Sequence, residues 1–299
     1  MNKLKGTGVA LVTPFNQDFS IDFVGLERLV NHTIAGGVDY LVLLGTTGES
    51  AVLSKNEKKQ VLDFCKRINN GRLPIVQGVG GNDTLALAEE LRNTDFEGIS
   101  AILSVSPFYN KPTQEGIYLH YKILSEASPF PLIIYNVPGR TASNILADTT
   151  LRLANDFENI VAIKEASGDL MQIKKIINRK PVDFLVLSGD DALTSTIIEM
   201  GGDGVIAVIA QSHPTLFSNM VNASLRGDFK KAKLLYEKIE PIFDSLYADG
   251  NPSGIKAALT IIGICKNVLR PPLTPVTQKN FDKLYAFIMK SSSQKHILP

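Results

Sequence analysis

The chain has only two cysteines and four histidines among its 299 residues. Cys65 and Cys265 stand alone in helix-like segments, without a CxxC spacing. They read as small core residues of a reducing compartment, which leaves neither a disulfide framework nor a thiolate metal site. His32, His120, His213 and His296 are scattered over two helical segments, a loop and the tail, which argues against zinc chemistry and triad hydrolysis. Charge of one sign is missing too. The net charge is +1, and no basic tract exceeds pairs such as Lys174-Lys175 and Lys230-Lys231, so a nucleic-acid footprint is absent. No apolar run approaches the roughly 18 residues of a membrane span. The opening Met1-Asn2-Lys3-Leu4-Lys5-Gly6 carries no signal-peptide core. The expectation is a soluble cytoplasmic protein with no membrane or nucleic-acid partner.

What remains is a composition for burial, 44% hydrophobic and 20% charged. Short apolar runs at Gly8–Val12, Tyr40–Leu44, Ile75–Gly78, Ala101–Val105, Leu132–Tyr135, Ile160–Lys164, Phe184–Leu187 and Gly204–Ala207 read as strands. Several are near-continuous in Val, Ile and Leu, as parallel strands covered on both sides require. Helical stripes lie between them. Asp22, Asp83, Thr113, Asp169 and Asp190 stand at helix starts, Ser54 and Glu57 form a capping box, and helix capping also accounts for Asp190-Asp191 as a pair. Eight β–α units within about 225 residues fit a (β/α)8 TIM barrel, an α/β fold. The runner-up, a doubly wound sheet, usually carries a glycine-rich dinucleotide turn after its first strand, where this chain has Thr13-Pro14-Phe15. The tail continues in helices alone. The domain reading is therefore a barrel over 1–227 and a helical appendage over 228–299.

In such a barrel the chemistry collects where strands end. Strand two runs into Gly45-Thr46-Thr47-Gly48-Glu49, strand five into Tyr135-Asn136-Val137-Pro138-Gly139-Arg140-Thr141, and strand six ends on Lys164. A lysine closing an apolar strand is costly to keep charged, and burial lowers its pKa toward the neutral amine that attacks a carbonyl. A drop of three units takes roughly 4 kcal/mol. The bland alternative is a strand-end lysine reaching into solvent. Tyr135 on the neighbouring strand is placed to shuttle protons during imine formation, with Thr46 as relay. Both residue types are also simply good strand formers. Arg140 behind its sharp turn suits bidentate capture of a substrate carboxylate, or else a surface ion pair. The Gly78-Val79-Gly80-Gly81 run lacks a Walker lysine and is a weak phosphate signal.

Taken together, the Gly45–Glu49, Tyr135–Thr141 and Ile163-Lys164-Glu165 motifs resemble the 4-hydroxy-tetrahydrodipicolinate synthase family, long called dihydrodipicolinate synthase, over almost the whole chain. The resemblance implies a pyruvate-dependent class I aldolase reaction of lysine (diaminopimelate) biosynthesis, a lyase using pyruvate and L-aspartate 4-semialdehyde. Lys164 would carry the pyruvate imine, with no separate cofactor and no metal. Tyr135, Thr46 and Tyr109 would form the proton relay, Tyr109 arriving from a neighbouring subunit. Thr47 would hold the pyruvate carboxylate, the backbone of Ile206 would face the same ligand, and Arg140 would bind the aldehyde substrate. A homotetramer built as a dimer of dimers is implied. The rivals are another pyruvate-dependent aldolase, such as an N-acetylneuraminate lyase or keto-sugar-acid aldolase, and a catalytically inactive pyruvate-binding barrel. Lysine-inhibited members use a His, a Glu and a Tyr at an interface site, where the matching positions here are Lys55, Ala86 and Phe108, while Ser50, Ala51 and Asn82 match. Losing the carboxylate and adding Lys55 and Lys58 predicts weak or absent inhibition by lysine.

Overall fold

The computed structural model describes residues 2–295. Its strands are β1 (Gly6–Ala10), β2 (Tyr40–Leu43), β3 (Ile75–Gly78), β4 (Ala101–Val105), β5 (Leu132–Asn136), β6 (Ile160–Glu165), β7 (Leu185–Ser188) and β8 (Gly204–Ala207). All pair in parallel, and β8 returns to β1 to close the ring. The chain is thus a (β/α)8 TIM barrel. The helices that cover it are α1 (Phe23–Ala35), α2 (Lys55–Asn69), α3 (Thr84–Asn93), α4 (Gln114–Ala127), the single turn α5 (Pro138–Thr141), α6 (Ala147–Asp156), α7 (Leu170–Arg179), α8 (Thr194–Glu199) and α9 (Pro214–Leu225). Beyond them follow α10 (Phe229–Ile239), α11 (Phe243–Tyr247), α12 (Ser253–Ile261) and α13 (Gln278–Lys295).

Strand alternation divides the core in two. Val9, Leu41, Ile102, Ile134, Ile163 and Val186 point outward and join the large apolar layer under the helices. Ala10, Val42, Val76, Leu103, Ile133, Leu187 and Ile206 point inward and fill the barrel with a second, smaller cluster. Its floor is aromatic. Tyr40 is fully buried across the interior with Leu4 in the same cluster, and its hydroxyl donates to the Val205 carbonyl at 3.1 Å. Gly8 permits this, because a Cβ there would lie 2.2 Å from the Tyr40 ring.

Caps form where the sequence places them at five helices. Asp22, Asp83, Thr113 and Asp169 each accept backbone N–H groups of the first turn, and Ser54 with Glu57 makes both bonds of the capping box. Asp190-Asp191 behaves differently from the expected capping pair. Asp190 accepts from Ala192 and Leu193 in the turn ahead of α8, whose own N-cap is Leu193. Asp191 does not cap α8; it is buried and takes the N–H groups of Val208 and Ile209 at the short 3-10 turn just after β8. The first strand also begins and ends two residues earlier than expected. Leu11 still donates to the Val42 carbonyl, but the Val12 N–H is taken by the Gln211 side chain, so the ladder stops there.

Candidate active site

Parallel register sets the centre of the site. Tyr135 on β5 pairs with Lys164 on β6, which puts the two inward side chains next to each other at the carboxyl ends of their strands. The Lys164 ammonium nitrogen lies 4.5 Å from the Tyr135 ring centroid, and the residue is 6% exposed. Burial lowers its pKa from 10.5 to about 8; the charge of Asp191 opposes that shift and the charge of Arg140 adds to it. At pH 7 roughly one amine in ten is then neutral, against one in a few thousand for an ordinary lysine. Space for the amine comes from Gly189, where a Cβ would lie 3.1 Å from Lys164 Cε and 2.6 Å from Ala166 Cβ. Sequence reasoning passed over Gly189, although a glycine directly after β7 on the catalytic rim was the available signal.

Tyr135 is buried enough that its phenol is pushed up to about 12, so it stays protonated and can give and retake a proton without ionising in the resting state. The Arg140 charge and a side-chain hydrogen bond with Thr46 act in the opposite direction. Arg140 sits on the one-turn helix α5 at the rim, and its Nη2 donates to the Asn251 carbonyl at 3.2 Å. Thr47 is buried, and its Oγ1 accepts from Asn251 Nδ2 at 2.9 Å. Ile206, on β8, lies in the interior cluster with Tyr135 and Leu187. These residues share one end of the barrel. Tyr109 does not join them within this chain: it projects from the β4–α4 loop with a φ of 74° and is 87% exposed.

Around this centre are buried charges that the sequence did not announce. Asp191 accepts from the Val208 and Ile209 N–H groups and from the Tyr247 hydroxyl at 2.5 Å, tying the rim after β8 to α11. Burial raises its pKa. Glu49, whose φ is 53°, is buried against Lys256 of α12 in an ion pair with no exposed side-chain surface. Lys256 also donates to the Val268 carbonyl at 2.8 Å, and the second Glu49 oxygen accepts the Arg270 N–H at 3.0 Å. The motif glutamate therefore clamps the hydroxyl-bearing loop to the C-terminal helices. Behind Lys164, Glu165 is saturated by Asn136, Gln172 and the Ser167 N–H, which marks it as a structural carboxylate. His120 holds Thr84 through Nδ1 between α3 and α4, with its pKa lowered to about 4 by burial, and His213 starts α9. Neither enters the site, and His296 lies outside the described residues. Cys65 and Cys265 are buried thiols, both pushed up to about 12 by burial.

A parallel barrel whose sixth strand delivers a buried amine beside a protonated tyrosine and a hydroxyl-bearing loop is built for imine chemistry. It is an enzyme of the class I aldolase type, a lyase. The profile of the dihydrodipicolinate synthetase family matches residues 3–291, and the chain belongs to that family. It is 52% identical to a 4-hydroxy-tetrahydrodipicolinate synthase of Flavobacterium psychrophilum over 98% of this chain and 100% of that one. A second such synthase, from Phocaeicola vulgatus, is 48% identical over 96% of both chains. Among solved structures, the chloride-inhibited dihydrodipicolinate synthase of Acinetobacter baumannii complexed with pyruvate superposes with a TM-score of 0.93 at 38% identity, covering 97% of this chain and 99% of that one.

Proposed function

We propose that this protein is a 4-hydroxy-tetrahydrodipicolinate synthase, condensing pyruvate with L-aspartate 4-semialdehyde for lysine biosynthesis. The observation that carries the reading is Lys164, a buried amine with a lowered pKa in van der Waals range of a protonated tyrosine. The neutral Lys164 amine attacks the keto carbon of pyruvate, and the carbinolamine loses water to give the imine. Loss of a methyl proton gives the enamine, whose carbon adds to the aldehyde; the aldehyde substrate's own amine then attacks the imine carbon, which closes the ring and expels the Lys164 amine. Tyr135, relayed through Thr46, carries protons in these steps, and Tyr109 from a second copy completes the relay. Thr47 holds the pyruvate carboxylate beside the Ile206 backbone, and Arg140 binds the carboxylate of the aldehyde. The substrate itself forms the covalent link, so no separate cofactor takes part.

Arg140 favours this reaction over cleavage of long polyhydroxylated acids, because a short charged aldehyde gains from a guanidinium at the rim. The outward Tyr109 supports a working assembly of at least two chains, which we extend to a homotetramer made from two dimers. Among the described residues no helix is long and apolar enough to cross a membrane. Together with the biosynthetic role, this supports a cytoplasmic location. The test is borohydride reduction with pyruvate present, followed by peptide mapping and a comparison of aspartate semialdehyde with sialic acid. A pyruvate adduct on Lys164 and turnover of the semialdehyde are expected. An adduct on another lysine, or none, overturns the reading.

A further inference from the structure

The segment between α11 and α12 contributes one side chain to the site, Asn251. It is held from both directions: Tyr247 ahead of it is fixed on Asp191, and Lys256 after it is fixed on Glu49. Asp249 anchors the same segment to the start of α13 by accepting from the Thr277 N–H and hydroxyl and from Asn280. From this rigid mount Asn251 reaches two distant parts of the rim. Its side-chain Nδ2 donates to Thr47 Oγ1 at 2.9 Å, and its main-chain carbonyl accepts from Arg140 Nη2 at 3.2 Å.

The direction of the first bond matters. A threonine hydroxyl has one hydrogen to give. With an amide donor on one of its two lone pairs, the Thr47 hydrogen is left to point elsewhere, and among the described residues it is given to no acceptor. A buried hydroxyl biased in this way is a ready donor for an anion. We propose that Asn251 is a positioning residue whose side chain sets the Thr47 hydroxyl as a donor toward the keto-acid carboxylate, while its main-chain carbonyl steadies Arg140. The inference rests on the function proposed above and adds the group that gives Thr47 its polarity.

Replacement of Asn251 by the isosteric aspartate reverses that polarity. Asn251 Oδ1 is buried and has no donor of its own, so a carboxylate at this position draws the Thr47 hydrogen to itself. The bound anion then loses a donor and gains a like charge. The measurement is borohydride trapping of the Lys164 adduct across a range of pyruvate concentrations, which needs no aldehyde. Asn251→Asp is expected to raise half-saturating pyruvate by about tenfold or more, the worth of one charge-assisted hydrogen bond, with the adduct yield at saturation unchanged. Asn251→Ala is expected to raise it about threefold in the parent and not at all in a Thr47→Val background. The alanine cycle carries the test if the aspartate variant does not fold. Half-saturation of Asn251→Asp at the parent concentration means that Thr47 donates toward position 251, and the inference is wrong. An alanine effect that survives undiminished in Thr47→Val shows action by another route and overturns it equally. Absence of any adduct in the unsubstituted protein removes the proposed function itself, and this inference with it.

Discussion

Replacing Lys164 by methionine should make the protein more stable at neutral pH while abolishing adduct formation. The side chain is buried, and its pKa falls from 10.5 in the open chain to about 8 in the fold, so the native state pays to keep the ammonium form. Between those values the unfolded chain binds the proton and the folded one does not, hence stability rises with pH through this window. Below pH 8 the full penalty applies, and above 10.5 it is gone. A shift of this size is worth roughly 3 kcal/mol. Methionine has a similar length and no charge, so Lys164→Met should gain on the order of 2–3 kcal/mol at pH 7, less whatever Asp191 loses with its cationic neighbour. Chemical denaturation of parent and variant at pH 7 and near pH 10.5 provides the check. The advantage should shrink toward zero at the higher pH. A variant that is less stable at pH 7, or an advantage that grows with pH, refutes the claim that burial is what poises this amine.

Other outcomes follow from neighbouring groups. Tyr135→Phe should keep the fold and lower turnover by about 10²- to 10⁴-fold, the usual worth of a positioned proton shuttle, and a loss under tenfold in steady-state assays would remove Tyr135 from that role. Lys256→Met strands the buried Glu49 carboxylate and should cost about 3–5 kcal/mol in denaturation experiments. Adding Glu49→Gln, which still accepts the Arg270 N–H, should restore at least half of it; no recovery argues against the pair as the cause. Lysine should inhibit weakly or not at all, because exposed Lys55 and Ala86 stand at the positions where lysine-inhibited members of the family carry a His and a Glu, and half-inhibition at sub-millimolar lysine contradicts this.

The barrel was legible because its strands are short apolar runs whose limits are marked by charged or turn residues. Lys164 was conspicuous for the same reason, since an abrupt charge after Ile160–Ile163 has no local excuse. Asp191 was misread because a pair of aspartates ahead of a helix looks alike in sequence, whereas in space one faces the turn and the other faces the interior. Lys256 was invisible. On a helix it resembles any solvated lysine, and its partner Glu49 lies 207 residues away. The contacts of Asn251 with Thr47 and Arg140 span 204 and 111 residues and leave no periodic trace. Local pattern reports on strands and caps, while buried ion pairs and bridging amides are properties of closure.

The Tyr40 ring lying over Gly8 stoppers the bottom of the barrel, among the described residues, and leaves the Lys164 end as the mouth of the well. On the proposed chemistry this imposes traffic rules. Whichever reactant bonds to the amine deep in the well must arrive before the one that waits at the lip, and every product, water included, has to depart by the door through which the reactants came.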